Sequence, residues 1–218
     1  MRREAVLSAV RAALAGVVVP PLAAAPPAPG ADDTAALATR FVAEARAVGT
    51  IVHEVASRAD AGAVVAAIVA GAAPAPRVVA WSTPRARELA TSATALLLHA
   101  ALDVVDRATS PDVIAAADVG VTEADVVVAA SGTLVLRACG RARSVSLLPA
   151  THIAVVERAR LAADLAEALR RLRAVDDPES AVTLITGPSR TADIEKKLVV
   201  GVHGPCALHV VLLGESGA

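Results

Sequence analysis

The chain has 218 residues, 55% hydrophobic and 20% charged, so it can bury the core of one domain and lacks the composition of a disordered protein. Its 21 basic and 22 acidic residues give a formal net charge of −1, which removes a general attraction to phosphate backbones. With one Phe, one Trp and no Tyr, it also has almost no side chains on which bases could stack. A nucleic-acid partner is therefore not expected.

The cysteine content limits the cofactors that this chain can hold. Cys139 and Cys206 are the only two cysteines and form no CxxC motif. Two thiolates cannot supply an ordinary iron–sulfur cluster or a cysteine-rich zinc site, so we expect no cofactor. Reduced cysteines in a cytoplasmic protein are the default expectation, although the sequence alone also allows one disulfide.

The N-terminal segment superficially resembles a secretory signal, because basic residues precede an apolar stretch. Val6, Val10 and Leu14 instead recur at the spacing of one helix face, and a Pro-Pro pair directly after the apolar stretch prevents a membrane-spanning helix. We predict an amphipathic helix and a proline-rich linker over residues 1–30, without membrane association. A single α/β domain is predicted over residues 31–218.

Within that domain, apolar extended segments alternate with helical ones. The predicted strands are TIVHEV (50–55), RVVAW (77–81), LDVVD (102–106), IAVV (153–156), VTLI (182–185) and ALHVVLL (207–213). The first predicted helix is capped by Asp32 or Asp33 and buries Leu37, Phe41 and Val48. A later helix has Leu161, Leu165, Leu169 and Leu172 on one face. The other predicted helices are Ala61–Ala70, one that begins at Pro84, and Thr191–Val199. Continuous apolar strands between helices predict an α/β fold with a mostly parallel sheet flanked by helices.

The segment between the third and fourth of these strands allows two interpretations. VVVAA (126–130) and TLVL (133–136) flank Ser131-Gly132, a turn dipeptide, which favours a hairpin. Alternatively, Thr122 to Asp125 form a capping box that begins a short helix. In the hairpin interpretation Ser131, Gly132 and Thr133 either bind an oxyanion or form a simple turn.

The strongest local motif is ITGPSRTADIEKK (185–197). Gly187-Pro188 turns the chain after a buried strand, and Ser189 stands where a helix N-cap belongs. Free N–H groups there, the hydroxyls of Ser189 and Thr191 and the guanidinium of Arg190 suit a carboxylate or phosphate. The plainer alternative is a well-capped helix with no ligand.

Two histidines stand in positions that suit chemistry. His203 lies between two glycines in GVHGPC (201–206), and His152 directly precedes the strand IAVV. Each is a candidate acid, base or hydrogen-bond donor, and each could equally be a structural histidine bonded to a neighbouring carbonyl. A metal hydrolase built on these two lacks any short-range ligand spacing, so no metal is expected.

Taken together, these motifs resemble a known family. The segments GVTEADVVVAASGTLVL, SVSLLPATHIAVV, TLITGPSRTADIEKKLVVGVHGP and LHVVLL are similar, in order and spacing, to the lactate-utilisation protein C family, the LUD-domain group formerly described as a domain of unknown function. The resemblance implies a fold like that of the ribose-phosphate isomerase, glucosamine-phosphate deaminase and coenzyme A transferase superfamily. It also implies a cytoplasmic role in oxidising L-lactate to pyruvate beside iron–sulfur partner proteins.

The site residues follow from the motifs and the resemblance together. Catalytic residues are not established in that family, and the candidates in this chain are His203, His152 and Glu195. The candidate ligand-binding residues are Ser131, Gly132, Thr133, Gly187, Ser189, Arg190, Thr191 and Gly204. One position departs from the family pattern, because Ala130 stands where an acidic residue usually precedes the Ser-Gly-Thr turn.

The function expected from the resemblance is that of an accessory component of a lactate-oxidising system that binds a small anionic metabolite. The alternative is a free-standing enzyme acting on a sugar phosphate or a coenzyme A-linked substrate. That alternative rests on fold analogy, which is a weak argument for function. Whether the chain is an enzyme stays open at the level of the sequence.

Overall fold

The computed structural model describes residues 3–17, 33–173, 181–192 and 198–214. The helices are α1 Arg3–Leu14, α2 Thr34–Ala47, α3 Arg58–Ala72, α4 Pro84–Ala95, α5 Pro111–Ala115 and α6 Leu165–Arg173, with short 3-10 helices at Arg143–Ser146 and Arg158–Arg160. The strands are β1 Ile51–Val55, β2 Arg77–Trp81, β3 Ala101–Val105, β4 Val119–Glu123, β5 Val126–Val128, β6 Thr133–Arg137, β7 Thr151–Glu157, β8 Leu161–Ala162, β9 Val182–Ile185, β10 Arg190–Ala192, β11 Leu198–Val200 and β12 Ala207–Leu213.

A six-stranded sheet forms the centre of the molecule. Its order is β1-β12-β7-β4-β2-β3, and every neighbouring pair is parallel. The middle strands are buried along almost their whole length, as continuous Val, Ile and Leu runs require in a sheet covered on both faces. The predicted α/β class with a mostly parallel sheet flanked by helices is confirmed.

The helices cover the sheet through small and aliphatic residues. α3 and α4 pack against each other and against the sheet. α2 packs beside β1 and buries Leu37 and Phe41, and the Asp33 carboxylate accepts a hydrogen bond from the Ala35 N–H at 3.1 Å as its N-cap. The predicted cap at Asp33 and the burial of Leu37 and Phe41 are confirmed, whereas Val48 follows the helix as its C-cap and is only partly buried. α2 ends at Ala47, and the residue after it, Val48, contacts the loop at Arg190 that is described below.

A second sheet of four strands lies beside the first, in the order β8-β5-β6-β9. Its central pair is the predicted hairpin, with β5 and β6 antiparallel. Side chains alternate between its two faces: Val127 joins the main core, whereas Val126 and Val128 form a smaller core with Ala168 of α6. The competing helix at Thr122–Asp125 is wrong, because Val119–Glu123 is a strand of the large sheet.

The predicted helix over Thr191–Val199 is also wrong at both of its described ends, and residues 193–197 between them lie outside the described residues. Arg190–Ala192 and Leu198–Val200 are antiparallel strands instead. The backbone of Ser189 explains the difference: its N–H donates to the Pro205 carbonyl at 3.0 Å, and its own carbonyl accepts from the Gly201 N–H at 2.9 Å. These bonds to a distant segment keep the chain extended, so Ser189 is not a helix N-cap.

The leucine helix begins later than predicted. Leu161 belongs to β8, α6 starts at Leu165, and both Leu165 and Leu169 are exposed. The helix start is fixed by Asp164, whose carboxylate accepts from the Glu167 N–H at 2.8 Å, while Glu167 accepts from the Ala163 N–H at 2.7 Å. This reciprocal cap decides the boundary. The predicted ion pair between Glu167 and Arg171 is present.

At the N-terminus, α1 carries the predicted apolar face, and each of its residues is exposed. The proline-rich linker over residues 20–30 lies outside the described residues. Among the helices that the structure describes, none combines the length and apolar character needed to cross a bilayer.

Candidate functional site: a cavity at the amino ends of β7 and β12

A cavity of about 340 Å³ lies where the large sheet meets β9 of the second sheet. Its wall includes six residues that the sequence singled out: His152, Gly187, Ser189, Arg190, His203 and Gly204. His152 and Leu208 are register partners at the beginnings of β7 and β12, so this is the amino edge of the parallel sheet. The chain therefore gathers motifs from three separate segments around one space.

His152 is the buried polar group of this cavity. Its side chain is fully buried, and its Nε2 atom lies 2.8 Å from the Thr122 hydroxyl on β4. Its Nδ1 atom is also buried and has no hydrogen-bond partner among the residues that the structure describes. Burial lowers the pKa of His152 from 6.5 to about 3, so the ring is neutral at physiological pH. A neutral imidazole has one donor and one acceptor nitrogen, and Thr122 occupies only one of them.

Ser189 and His203 contribute the other side of the cavity. The Ser189 backbone is fixed by its two bonds to the 201–205 segment, while no bond of its hydroxyl is seen among the described residues. Gly204 faces Ser189, and a Cβ atom at Gly204 would lie 3.0 Å from the Ser189 Cβ. The glycine thus leaves room beside the hydroxyl. His203 is exposed at the rim.

Arg190 has a structural bond that the sequence did not predict. Its guanidinium donates to the Val48 carbonyl at the end of α2, at 2.7 Å. A cation is favourable there because the carboxyl end of a helix carries partial negative charge. The same loop approaches α2 closely at Gly187, which has φ +80° and whose Cβ atom would lie 2.5 Å from the Val48 oxygen. One N–H of Arg190 is therefore used, and a guanidinium has five.

The Ser131-Gly132-Thr133 turn lies next to the cavity but outside its wall. Thr133 is hydrogen-bonded to Ser131 at 2.7 Å and to Thr186 at 2.8 Å, and Thr186 lines the cavity. Gly132 has φ +63° and packs on α2, where its Cβ atom would lie 2.4 Å from the Ala45 nitrogen. The turn positions the cavity through a chain of hydroxyls. Ala130, just before it, packs against the smaller core.

Two of the predicted site residues cannot be placed as fully as the others. Glu195 lies outside the described residues. Thr191 lies in β10, and only its backbone is described. The helix N-terminus expected at Ser189 is not formed, because a strand follows this residue. The described groups on the cavity wall that can donate to an anion are the Arg190 guanidinium and the Ser189 hydroxyl, and the buried His152 ring lies beside them.

Sequence reasoning missed Thr122 and Thr186. Thr122 was interpreted as a helix cap, although it is the one polar residue within the buried apolar run of β4. A lone Thr in such a run indicates a buried hydrogen bond, here the bond to His152. Thr186 directly precedes Gly187 in the strongest motif of the chain. Because Thr186 lies between a predicted strand and the glycine of the predicted turn, its position could have identified it as a residue of the site.

The cysteines and potential metal ligands complete the chemical inventory. Cys139 and Cys206 do not form a disulfide with each other. In the described ranges, no three or more His, Cys, Asp or Glu side chains are grouped so that they could hold a metal ion.

The family follows from the comparison of this sequence with known proteins. The family model of the LUD domain matches residues 38–213, and the chain belongs to that family. It is 44% identical over 135 residues to lactate utilization protein C of Macrococcus caseolyticus, over 59% of this chain and 57% of that protein. It is 46% identical over 93 residues to the protein of the same name from Shouchella clausii, over 41% of each chain.

A further relative has the same name and a similar extent. Lactate utilization protein C of Exiguobacterium sp. is 41% identical over 102 residues, which is 44% of each chain. The matches thus span 41% to 57% of the length of these curated relatives.

The fold has a counterpart among solved structures. A DUF162 family protein from Deinococcus radiodurans superposes with a TM-score of 0.61, covering 84% of this chain and 99% of that one at 24% sequence identity. At this identity the likeness concerns the fold.

Proposed function

We propose that this chain acts in the cytoplasm in L-lactate utilisation and that its His152 cavity binds the small hydroxy or oxo acid of that system, L-lactate or pyruvate. The observation that carries the proposal is the Nδ1 atom of His152, which is buried and unpaired on the wall of a cavity shared with Ser189 and Arg190. A buried polar atom without a partner costs about 1–3 kcal/mol. A ligand oxygen at Nδ1 removes that cost.

The charge of the cavity suits a monocarboxylate. Among the described residues of its wall there is one guanidinium, Arg190, and no Asp or Glu. The carboxylate of the ligand would bind to free N–H groups of Arg190 and to the Ser189 hydroxyl, both of which are donors. When the Thr122 hydroxyl donates to Nε2, the proton of the neutral imidazole is on Nδ1, which then donates to the 2-oxygen of the ligand.

The chemistry of lactate oxidation determines which step we assign to this chain and which to its partner proteins. Converting L-lactate to pyruvate removes two electrons and two protons, which need an acceptor. The two cysteines of this chain cannot ligate an iron–sulfur cluster. We therefore assign the electron transfer to iron–sulfur partner proteins, as the family resemblance implies. The names of the curated relatives support a place in lactate utilisation.

Calorimetric titration of the purified chain tests the binding step. L-lactate and pyruvate are titrated beside propionate, which keeps the carboxylate but lacks the 2-oxygen. We expect L-lactate to bind more tightly than propionate. We also expect His152→Gln to weaken L-lactate about tenfold or more, the value of one hydrogen bond in a buried site.

The matched control is His99→Gln, which changes an exposed histidine outside the cavity wall. It should leave L-lactate binding unchanged. Equal binding of L-lactate and propionate, or an unaltered affinity in His152→Gln, would refute the assigned contact. In cells, a deletion strain should regain growth on lactate with the wild-type gene but not with the His152→Gln gene.

A further inference from the structure

A second and larger cavity, of about 550 Å³, lies at the other side of the 3-10 helix Arg143–Ser146. Its wall is formed by the loop after β3, the loop after β6 and the residues of this 3-10 helix. Leu147 lines both cavities, so the two are neighbours. The volume is in the range of sites for metabolite-sized ligands.

The wall of this second cavity is cationic. Arg107, Arg141 and Arg143 line it, and the described part of the chain contributes no Asp or Glu to this wall. Arg107 and Arg143 are exposed, and neither guanidinium makes an ion pair or hydrogen bond within the described residues. Three positive charges at one concave surface repel one another, and an anion bound there would relieve the repulsion.

The third arginine is held in place. Arg141 donates to the Asp125 carboxylate at 3.0 Å and lies 4.9 Å from the centre of the Trp81 ring. Asp125 also accepts from the Arg137 Nε at 3.3 Å, so one carboxylate serves two guanidinium groups and leaves the cluster with net positive charge. A cation fixed between a carboxylate and an aromatic face loses little freedom when a ligand arrives.

The nearby acidic residues lie outside the described wall of this cavity. The Asp106 carboxylate turns toward its own loop, where it accepts from the Ala108 N–H at 2.9 Å and from the Thr109 hydroxyl at 3.3 Å. Asp112 lies on α5, outside the wall of the cavity. The Arg107 N–H donates to the Gly140 carbonyl at 3.0 Å and joins the two loops. The loop after β3, which contains Arg107, and the loop after β6, which contains Arg141, are therefore held together at the cavity.

We propose that this arginine cavity, formed by Arg107, Arg141, Arg143 and Ser144, binds a phosphorylated small metabolite through its phosphate groups. Guanidinium groups match phosphate oxygens in fork geometry, and three of them balance the two or more negative charges of a phosphate ester or diphosphate. The Ser144 hydroxyl adds a donor on the same wall. A monocarboxylate would leave most of this charge unbalanced. The site is therefore distinct from the His152 cavity in both place and ligand class.

Calorimetric titration of the full chain with pyrophosphate, in a phosphate-free buffer of low ionic strength, tests the proposal. We expect Arg107→Gln and Arg143→Gln each to weaken pyrophosphate about tenfold, because each removes a charge-assisted hydrogen bond. Arg40→Gln, which changes an exposed arginine on α2, is the matched control and should bind as the wild type does. Both cavity variants should fold normally, since their side chains make no bonds in the described structure.

The design separates this proposal from the one about lactate. Pyrophosphate binding should depend on Arg107 and Arg143 but not on His152, and L-lactate binding should show the opposite dependence. Citrate, with similar charge but carboxylate groups, should bind more weakly than pyrophosphate. Three results would overturn the proposal: no binding of pyrophosphate, unchanged affinity in the double variant Arg107→Gln/Arg143→Gln, or equal binding of citrate.

Discussion

His152 combines complete burial with an unpaired ring nitrogen, and Ser189 combines a fixed backbone with an unbonded hydroxyl. Structural residues in a core usually satisfy their polar atoms, because an unsatisfied one destabilises the fold. The unpaired Nδ1 atom of His152 is more readily explained by a ligand than by packing, and the partly exposed Ser189 hydroxyl on the same cavity wall is available to that ligand. The residues that support them, Thr122 and Thr133, are by contrast fully engaged with their neighbours.

Ser189→Ala distinguishes a ligand-binding serine from a capping one. A helix N-cap serine would cost about 1 kcal/mol when replaced by alanine. Because Ser189 precedes a strand and its hydroxyl caps no helix, we expect the free energy of unfolding in urea to change by less than about 0.5 kcal/mol. L-lactate affinity should fall in the same variant. A stability loss near the capping value would contradict this assignment.

Gly132→Ala tests the close contact between the Ser-Gly-Thr turn and α2. The new methyl group would lie 2.4 Å from the Ala45 nitrogen, at a residue with φ +63°. Gly140→Ala is the matched control, since Gly140 has φ +69° but nothing within 4 Å of the added Cβ. The control should lose about 1–2 kcal/mol from the backbone conformation alone. Gly132→Ala should lose clearly more in urea denaturation, and equal losses would refute the contact.

At the scale of the element, the N-terminal cap of α6 makes a measurable contribution to the free energy of unfolding. Asp164 and Glu167 exchange bonds with the first turn, although the leucine pattern placed the helix start several residues earlier. Asp164→Ala should lower the free energy of unfolding by about 1 kcal/mol. Arg171→Ala, which removes the surface pair with Glu167 and a long bond of 3.5 Å to the Ala159 carbonyl, should change it by about 0.3–0.5 kcal/mol. The reverse order in urea denaturation would contradict a cap at Asp164.

The elements show where sequence reasoning succeeds. β2 and β12 are short runs rich in Val, Leu and Ile, and their burial in a sheet follows from that composition. β9 has the same composition and is a strand as predicted, but Val182 and Leu184 are exposed in it. The β5–β6 hairpin follows from a turn dipeptide between two such runs. These elements depend on local patterns, so the sequence is sufficient to predict them.

The segment after Ser189 shows where prediction from the sequence fails. The residues after Thr191 are Ala, Asp, Ile, Glu and two Lys, which favour a helix on local propensity. The pairing of Ser189 with Gly201 and Pro205 is a contact between segments, and tertiary bonds of this kind override local propensity. The sequence identifies Ser189, His152 and His203 as separate candidates, and the tertiary structure places all three on the wall of one cavity.

At the scale of the whole molecule, three histidines couple stability to pH. Burial lowers the pKa of His152 to about 3. Burial and the neighbouring His53 lower the pKa of His209 to about 4. Burial and the Arg46 guanidinium lower the pKa of His53. The rings of His53 and His209 lie 5.4 Å apart, with 3.1 Å between Nε2 of the first and Nδ1 of the second.

The sign of the effect follows from proton binding. In the unfolded chain these histidines bind protons below about pH 6.5, whereas the folded protein keeps them neutral until far lower pH. Between these pH values the unfolded state binds more protons, so the free energy of unfolding rises with pH. The stability from neutral burial is thus complete above pH 6.5 and is lost progressively as the pH falls.

The size of the effect is set by His152, which is fully buried and titrates furthest from its usual range. One histidine that differs by a full proton between the two states contributes a slope of about 1.4 kcal/mol per pH unit. We therefore expect the slope of the unfolding free energy between pH 4 and 6, measured in urea, to fall by up to that amount in His152→Gln. His53→Gln should keep the contribution of His152, because the two residues lie on different strands and share no bond. An unchanged slope in His152→Gln would mean that His152 protonates in the folded state, and its Nδ1 atom could not then be the neutral partner of a bound acid.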